Sequence, residues 1–111
     1  LARELNRDEE RIPQPILTKE PSAELSPNQK DSDTLPPYEK LDPLIEALVD
    51  LSLPVDAAAK RAKVSPKVAR EIARRVDASE YKRRQMPPGP KVTAKAFGEG
   101  RRYPIAHRFR A

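Results

Sequence analysis

Residues 54–85 read PVDAAAKRAKVSPKVAREIARRVDASEYKRRQ, and their spacing decides the fold. Pro54-Val55-Asp56 opens a short helix through Ala57–Ala62, and Lys63-Val64 make a turn. Ser65-Pro66 then supplies an N-cap followed by proline at the first helical position, where its missing N–H would be unpaired anyway. Val68, Ala69, Ile72, Ala73 and Val76 recur at helical spacing as a buried stripe, and Lys67, Arg70, Arg74 and Arg75 take the remaining surface. The spacing predicts a helix pair over 54–62 and 65–85, the second running toward Arg84-Gln85 and stopping before Pro87-Pro88.

Upstream, Leu41, Leu44, Ile45, Leu48 and Val49 follow the i, i+3, i+4, i+7, i+8 pattern of an amphipathic helix over 37–50, with Tyr38 extending the stripe one turn back. Two starts are open. Asp42-Pro43 has the form of an N-cap with proline after it; a helix beginning at Pro37 instead leaves Pro43 inside, where it must kink the ladder. The apolar stripe is core, of this chain or of something it packs on.

Residues 1–36 keep no helical period, because Pro13, Pro15, Pro21, Pro27 and Pro36 interrupt it. Ile12, Ile16 and Leu17 favour a short strand. The segment 19–27 reads as an ordered turn or flap, and 28–34 as an acidic flexible loop; the plain reading of 26–34 is a solvated linker. Residues 86–111 alternate basic and apolar side chains with Gly and Pro between them, which reads as an extended tail needing a partner surface. The expected organisation is a strand and mobile loop (1–36), a helical subdomain (37–85) and a basic tail (86–111), mainly α.

Composition agrees with a chain short of core. Hydrophobic residues are 37% and charged residues 35% of 111, against about 45–50% and about 25% in ordinary globular domains. The absence of cysteine removes disulfides, thiolate metal sites and cysteine nucleophiles, and fits a reducing cytoplasm. No apolar run approaches the length of a membrane span, and no secretory signal is visible. The chain opens with Leu1 rather than Met, as a fragment or processed product does. Residues 1–50 carry 6 Lys/Arg against 12 Asp/Glu, and residues 51–111 carry 16 against 5. The basic half invites an anionic partner without choosing among phosphate, nucleic acid and protein.

A complete catalytic set is hard to assemble. His107 is the only histidine and sits among arginines near the terminus, the setting of a surface side chain. Ser22 and Ser26 have no histidine nearby in sequence, and Gly89, Gly98 and Gly100 form no phosphate loop. The carboxylates of 31–33 read as a solvated loop rather than a metal site. Lys82-Arg83-Arg84 at a helix end either meets the negative end of the helix dipole or captures an anion, with Arg101-Arg102 a second such group. The rhythm of 54–85 also admits a helix-turn-helix, although the second helix offers few Asn, Gln or Ser side chains for base edges.

Taken in order, several segments resemble the C-terminal part of the glutamine-dependent NAD+ synthetase family. They are Thr18-Lys19-Glu20-Pro21-Ser22-Ala23-Glu24-Leu25, Leu35-Pro36-Pro37-Tyr38 with Leu41-Asp42, and Glu80-Tyr81-Lys82-Arg83-Arg84-Gln85 with Pro87-Pro88-Gly89. Lys91 to Gly98 and Arg101-Arg102-Tyr103-Pro104-Ile105 continue the match. The resemblance implies a parent domain of α/β Rossmann-like adenine nucleotide hydrolase type. It also implies a ligase that adenylates deamido-NAD+ with ATP and Mg²⁺ and then amidates it with ammonia drawn from glutamine. The amidase cysteine and the pyrophosphate-binding Ser-Gly-Gly-x-Asp-Ser loop of that family are not in these 111 residues, so the segment alone is expected to be inactive.

The same resemblance assigns roles. Lys82 matches the lysine that meets the nicotinate carboxylate. Lys19 and Ser22 belong to a loop that closes over the phosphates and the adenylate, keeping water from the activated carboxyl. Asp33 falls at an acidic position near the reaction centre and is the catalytic candidate; no metal ligand is assigned. Arg83 and Arg84 are candidates for a structural part. The intact enzyme is expected to be a cytoplasmic homo-oligomer with no membrane or nucleic-acid partner. Gly98-Glu99-Gly100-Arg101 and Pro43 depart from the family's pattern. The rival readings are a DNA-binding module over 54–85 and a helical scaffold docking through Leu41–Val49.

Overall fold

The computed structural model describes all residues but 20, 23, 24, 88, 96, 98–100 and 107–111, and among the described residues it holds helices and turns and no strand. The chain forms two units, Leu1–Leu35 and Pro36–Ala111.

The first unit carries α1 (Ala2–Leu5), α2 (Gln14–Thr18) and a 3-10 turn at Asp31–Asp33, none with a buried residue. The Asn6 side chain closes the loop after α1. Its Nδ2 donates to the Ile12 carbonyl at 2.7 Å, and its Oδ1 accepts the Ile12 and Arg11 backbone N–H groups at 2.9 and 3.1 Å. The strand expected at Ile12, Ile16 and Leu17 is not formed: Ile16 and Leu17 lie in α2. Pro13 caps that helix and Pro15 sits in its first turn, where the fixed φ of proline suits the helix and no donor is lost. A lone extended segment would leave its backbone groups without a ladder, and the helical turn pairs them locally. The loop expected to be flexible over 28–34 includes the 3-10 turn.

The second unit is built on α3 (Tyr38–Val49), α4 (Val55–Ala62), α5 (Pro66–Ala78) and the short α6 (Glu80–Arg83). α3 starts after Pro37, whose carbonyl accepts from Leu41 N at 2.9 Å, so Pro43 lies inside the helix and Asp42-Pro43 is not its start. α4 packs against both α3 and α5. The buried apolar side chains are Leu41, Leu44, Ala47 and Val49 on α3, Ala58, Ala59 and Ala62 on α4, and Ala69 and Ile72 on α5. Ile45, Leu48, Val68, Ala73 and Val76 of the expected stripes are half-buried. Alanine on α4 lets both neighbours approach closely, and the larger side chains, each worth about 1.5–3 kcal/mol when fully buried, are few. Arg61 reaches Glu46 at 3.7 Å and Arg70 reaches Asp56 at 3.0 Å, exposed pairs across the two helix seams worth about 0–1 kcal/mol each.

The helix boundaries follow local chemistry. Ser65 Oγ accepts from Val68 N at 3.3 Å, the expected cap of α5. Lys63 closes α4 in the left-handed region, at φ 54 and ψ 43. The single helix expected over 65–85 is broken at Ser79, where φ −89 and ψ 3 leave the helical region. The Ser79 hydroxyl donates to the Arg75 carbonyl at 2.8 Å, sharing it with the Ser79 backbone N–H at 3.1 Å, and the chain restarts as α6.

The tail finds a surface on this same unit. Lys95 N donates to Asp50 Oδ1 at 3.1 Å, and Lys95 Nζ donates to Ser52 Oγ. Phe97 lies under the Arg83 guanidinium, 4.9 Å from carbon to ring centre. Arg101 Nη2 reaches Asp77 Oδ1 at 3.0 Å. The departure at Gly98-Glu99-Gly100 lies outside the described residues.

Candidate functional site

The basic cluster at α6 divides by role. Arg83 Nη2 donates to Glu80 Oε2 at 3.0 Å and also to the Val76 carbonyl at the end of α5. Arg84 Nε donates to Glu80 Oε1 at 3.3 Å, and its Nη2 donates to the Tyr103 carbonyl at 2.6 Å. Glu80 is 5% exposed, the one buried charged residue among those described. Burial pushes its carboxyl up, but hydrogen bonds from Arg83, Arg84 and the Tyr103 backbone, with the charge of Arg83, outweigh burial and hold it below the ordinary value. Lys82 is left over: its side chain is exposed and has no hydrogen-bond or ion-pair partner among the described residues. Arg83 and Arg84 therefore serve the fold, and Lys82 is the cation of this cluster open to an anion.

Beside α6 an open groove of about 630 Å³ runs between the end of α5, the 52–55 link and the tail. Leu53, Val55, Ala73, Tyr81, Tyr103 and Ile105 line it. Lys82 is not among its lining residues. Arg101 borders the groove, stacked on Tyr103 at 4.8 Å from carbon to ring centre and paired with Asp77. Arg101 is thus engaged by Asp77 and Tyr103, while its Nη1 is buried without a hydrogen-bond partner among the described residues.

The other candidate residues belong to the first unit. Ser22 Oγ donates to the Gln29 carbonyl, Leu25 N donates to Gln29 Oε1 at 3.0 Å, and Asp31 N donates to the Pro21 carbonyl at 3.2 Å. These bonds join described residues of the loop to one another, and the Ser22 hydroxyl proton is committed to Gln29. Lys19 caps α2 with an exposed side chain. Asp33 accepts the Lys30 N–H at 2.9 Å and so caps its own 3-10 turn while staying exposed. Among the described residues no three His, Asp or Glu side chains gather where they could hold a metal ion. His107, Glu20, Ala23 and Glu24 lie outside the described residues.

The helix-turn-helix reading meets a difficulty on α5. Glu71 accepts from Arg75 Nε at 3.0 Å and from Arg74, and Asp56 takes Arg70. The Arg75 hydrogen bond lowers the Glu71 carboxyl below its ordinary value; desolvation opposes it, and the hydrogen bond and charge of Arg74 add to the lowering. Cations so neutralised offer little to a phosphate backbone.

Glu80, Asp77, Asp50 and Tyr103 organise this region; Glu80 and Tyr103 stand in the segments that carry the resemblance but with no role assigned, and Asp50 and Asp77 stand in none. The spacing of Glu80 to Arg83 and Arg84, i+3 and i+4, was the available signal. Among the described residues no helix is long and apolar enough to cross a membrane.

Comparison with known proteins points one way. The family described as NAD synthase matches residues 1–87. The glutamine-dependent NAD(+) synthetase of Synechocystis is 47% identical over 113 residues, covering 98% of this chain and 19% of that protein. The protein of the same name from Aquifex aeolicus is 39% identical over 109 residues, with the same coverage. A solved structure, glutamine-dependent NAD+ synthetase from Acinetobacter baumannii in complex with adenosine diphosphate, superposes with a TM-score of 0.61 at 31% identity over 95% of this chain and 18% of that one. The chain thus spans about a fifth of the length of the relatives it matches. Neither the DNA-binding nor the scaffold reading is favoured by these likenesses.

Proposed function

The chain belongs to the NAD synthase family, and from that membership we propose that it supplies the C-terminal part of a glutamine-dependent NAD+ synthetase. In this reading Lys82 binds the nicotinate carboxylate of deamido-NAD+, and Lys19, Ser22 and Asp33 act on the phosphate side. The observation that carries it is the division within the basic cluster: Arg83 and Arg84 are spent on Glu80, and Lys82 alone of the three faces outward without a partner.

The chemistry suits these residues. An exposed ammonium on a short helical turn is a compact point charge that can orient a carboxylate and offset its charge. ATP, as co-substrate, supplies the adenylyl group that activates the carboxyl, with pyrophosphate as the leaving group. In this reading the loop that carries Ser22 shields the activated carboxyl from water. For Ser22 to donate to a phosphate, its proton must leave the Gln29 carbonyl. Lys19 brings a cation to the same loop, and the carboxylate of Asp33, already tied to Lys30 N, can accept a further donor. Among the described residues no cluster of carboxylates or histidines fits the Mg²⁺ that the resemblance implies.

The test is a graft: this chain replaces the matching stretch of the Synechocystis synthetase, and NAD+ formation from deamido-NAD+, ATP and ammonia is measured. The expected result is an active enzyme in which Lys82→Ala raises KM for deamido-NAD+ about tenfold, the scale of one lost charge-assisted contact. A graft that still hydrolyses glutamine yet makes no NAD+ would overturn the reading.

A further inference from the structure

Glu80, Arg83 and Arg84 fall on one face of α6, and Lys82 falls on the other. At about 100° per residue, Lys82 is turned roughly 200° from Glu80, with Arg83 and Arg84 within about 60° of it. A helix of four residues has almost no stability of its own, since nucleating a turn costs more than its few hydrogen bonds return. What holds α6 is the set of bonds meeting at one carboxylate. Glu80 takes both guanidiniums; Arg83 continues to the Val76 carbonyl on α5 and lies on the Phe97 ring; Arg84 continues to the Tyr103 carbonyl in the tail.

We infer that Glu80 is a positioning residue for Lys82: it anchors the clamped face of α6 to α5 and the tail, and thereby presents the Lys82 ammonium on the opposite face. The inference rests on the substrate-binding reading of Lys82 given above. Glu80 itself touches no substrate. Its near-complete burial is otherwise unexplained, because a buried carboxylate surrounded by arginines contributes little net stability compared with an apolar side chain of similar size. Its value lies in fixing a geometry. Lys82 has a long, flexible side chain, so the direction of the turn that carries it decides how much of its freedom must be lost when an anion binds.

The experiment uses the grafted synthetase and compares Glu80→Gln, Lys82→Ala and the double variant. A positioning role predicts that Glu80→Gln raises KM for deamido-NAD+ about fivefold to tenfold and leaves KM for ATP unchanged. It also predicts that adding Glu80→Gln to Lys82→Ala raises KM no further, because the first acts through the second. A purely structural Glu80 would lower the fraction of folded enzyme, and so the maximal rate, without moving either KM, or would add its effect fully to that of Lys82→Ala; either result overturns the inference. If Lys82→Ala raises KM and Glu80→Gln does not, the inference fails and the substrate reading stands. If Lys82→Ala changes nothing, the substrate reading itself fails. Should Glu80→Gln not fold, Arg84→Gln cuts the same clamp at its exposed arm; an unchanged KM for deamido-NAD+ in that variant overturns the inference as well.

Discussion

Arg84 and Tyr103 are 19 residues apart in sequence, yet the guanidinium of the first donates to the backbone carbonyl of the second at 2.6 Å. This bond joins α6 to the tail and makes the tail's placement depend on a helix-end arginine. Arg84→Ala should free the 91–106 stretch while leaving α3 to α5 intact. Limited trypsin digestion reads this directly, since Lys95, Arg101 and Arg102 are cleavage sites in that stretch. Cleavage there is expected to speed up several-fold with unchanged helical circular dichroism, and equal rates would mean the tail is held without Arg84.

Glu80 also sets a pH dependence. Its folded carboxyl lies below the ordinary value of 4.5, so the unfolded chain binds its proton first as pH falls. The contribution is fully present above that ordinary value and is lost as pH drops through the depressed folded one. Thermal unfolding followed between pH 7 and pH 3 should show this loss in the native chain. Glu80→Gln should flatten the acid limb and lower stability at pH 7.

Pro43 stands inside α3, where it donates no hydrogen bond to the Glu39 carbonyl. Pro43→Ala restores that donor. The gain is expected to be about 1–3 kcal/mol, at or below the intrinsic difference between these residues in a helix interior. A melting temperature unchanged by the substitution would show that the missing hydrogen bond costs the helix nothing.

Lys63 holds φ 54, a conformation that costs a residue with a Cβ about 1 kcal/mol. Its side chain is exposed, so Lys63→Gly removes the strain without removing a contact. Stability should rise by roughly 0.5–1 kcal/mol, less whatever the freer unfolded chain takes back. Denaturant titration of the two chains measures the difference. A loss would show that the aliphatic stem of Lys63 contributes packing.

Much of the helical unit was legible in the residues themselves. Ser65-Pro66 and the Val68–Val76 stripe act within one or two turns, and their effect is local enough to read from spacing. Three features were not legible, each because a distant or competing partner decides it. Ile16 reads as strand material until it has no neighbouring strand to pair with. Ser79 looks harmless in a helix until its hydroxyl joins its backbone N–H on the Arg75 carbonyl. The tail looks homeless until Asp50, Asp77 and the Arg83 face are in place to receive it. The candidate site shows the same split: Lys82 stands out by its motif, whereas Glu80 is hidden among charges and distinguished only by burial.

The interior of this chain has a thermodynamic consequence. Every buried residue among those described falls between Leu41 and Glu80, and alanine supplies all of α4's share. Unfolding therefore hydrates little new apolar surface, and the accompanying heat-capacity step should fall below the roughly 12–15 cal/mol/K per residue of ordinary domains. A small step makes the curve of stability against temperature shallow. Scanning calorimetry should find a broad, low endotherm, and cooling toward freezing should weaken the fold far less than it weakens a domain with a large oily core.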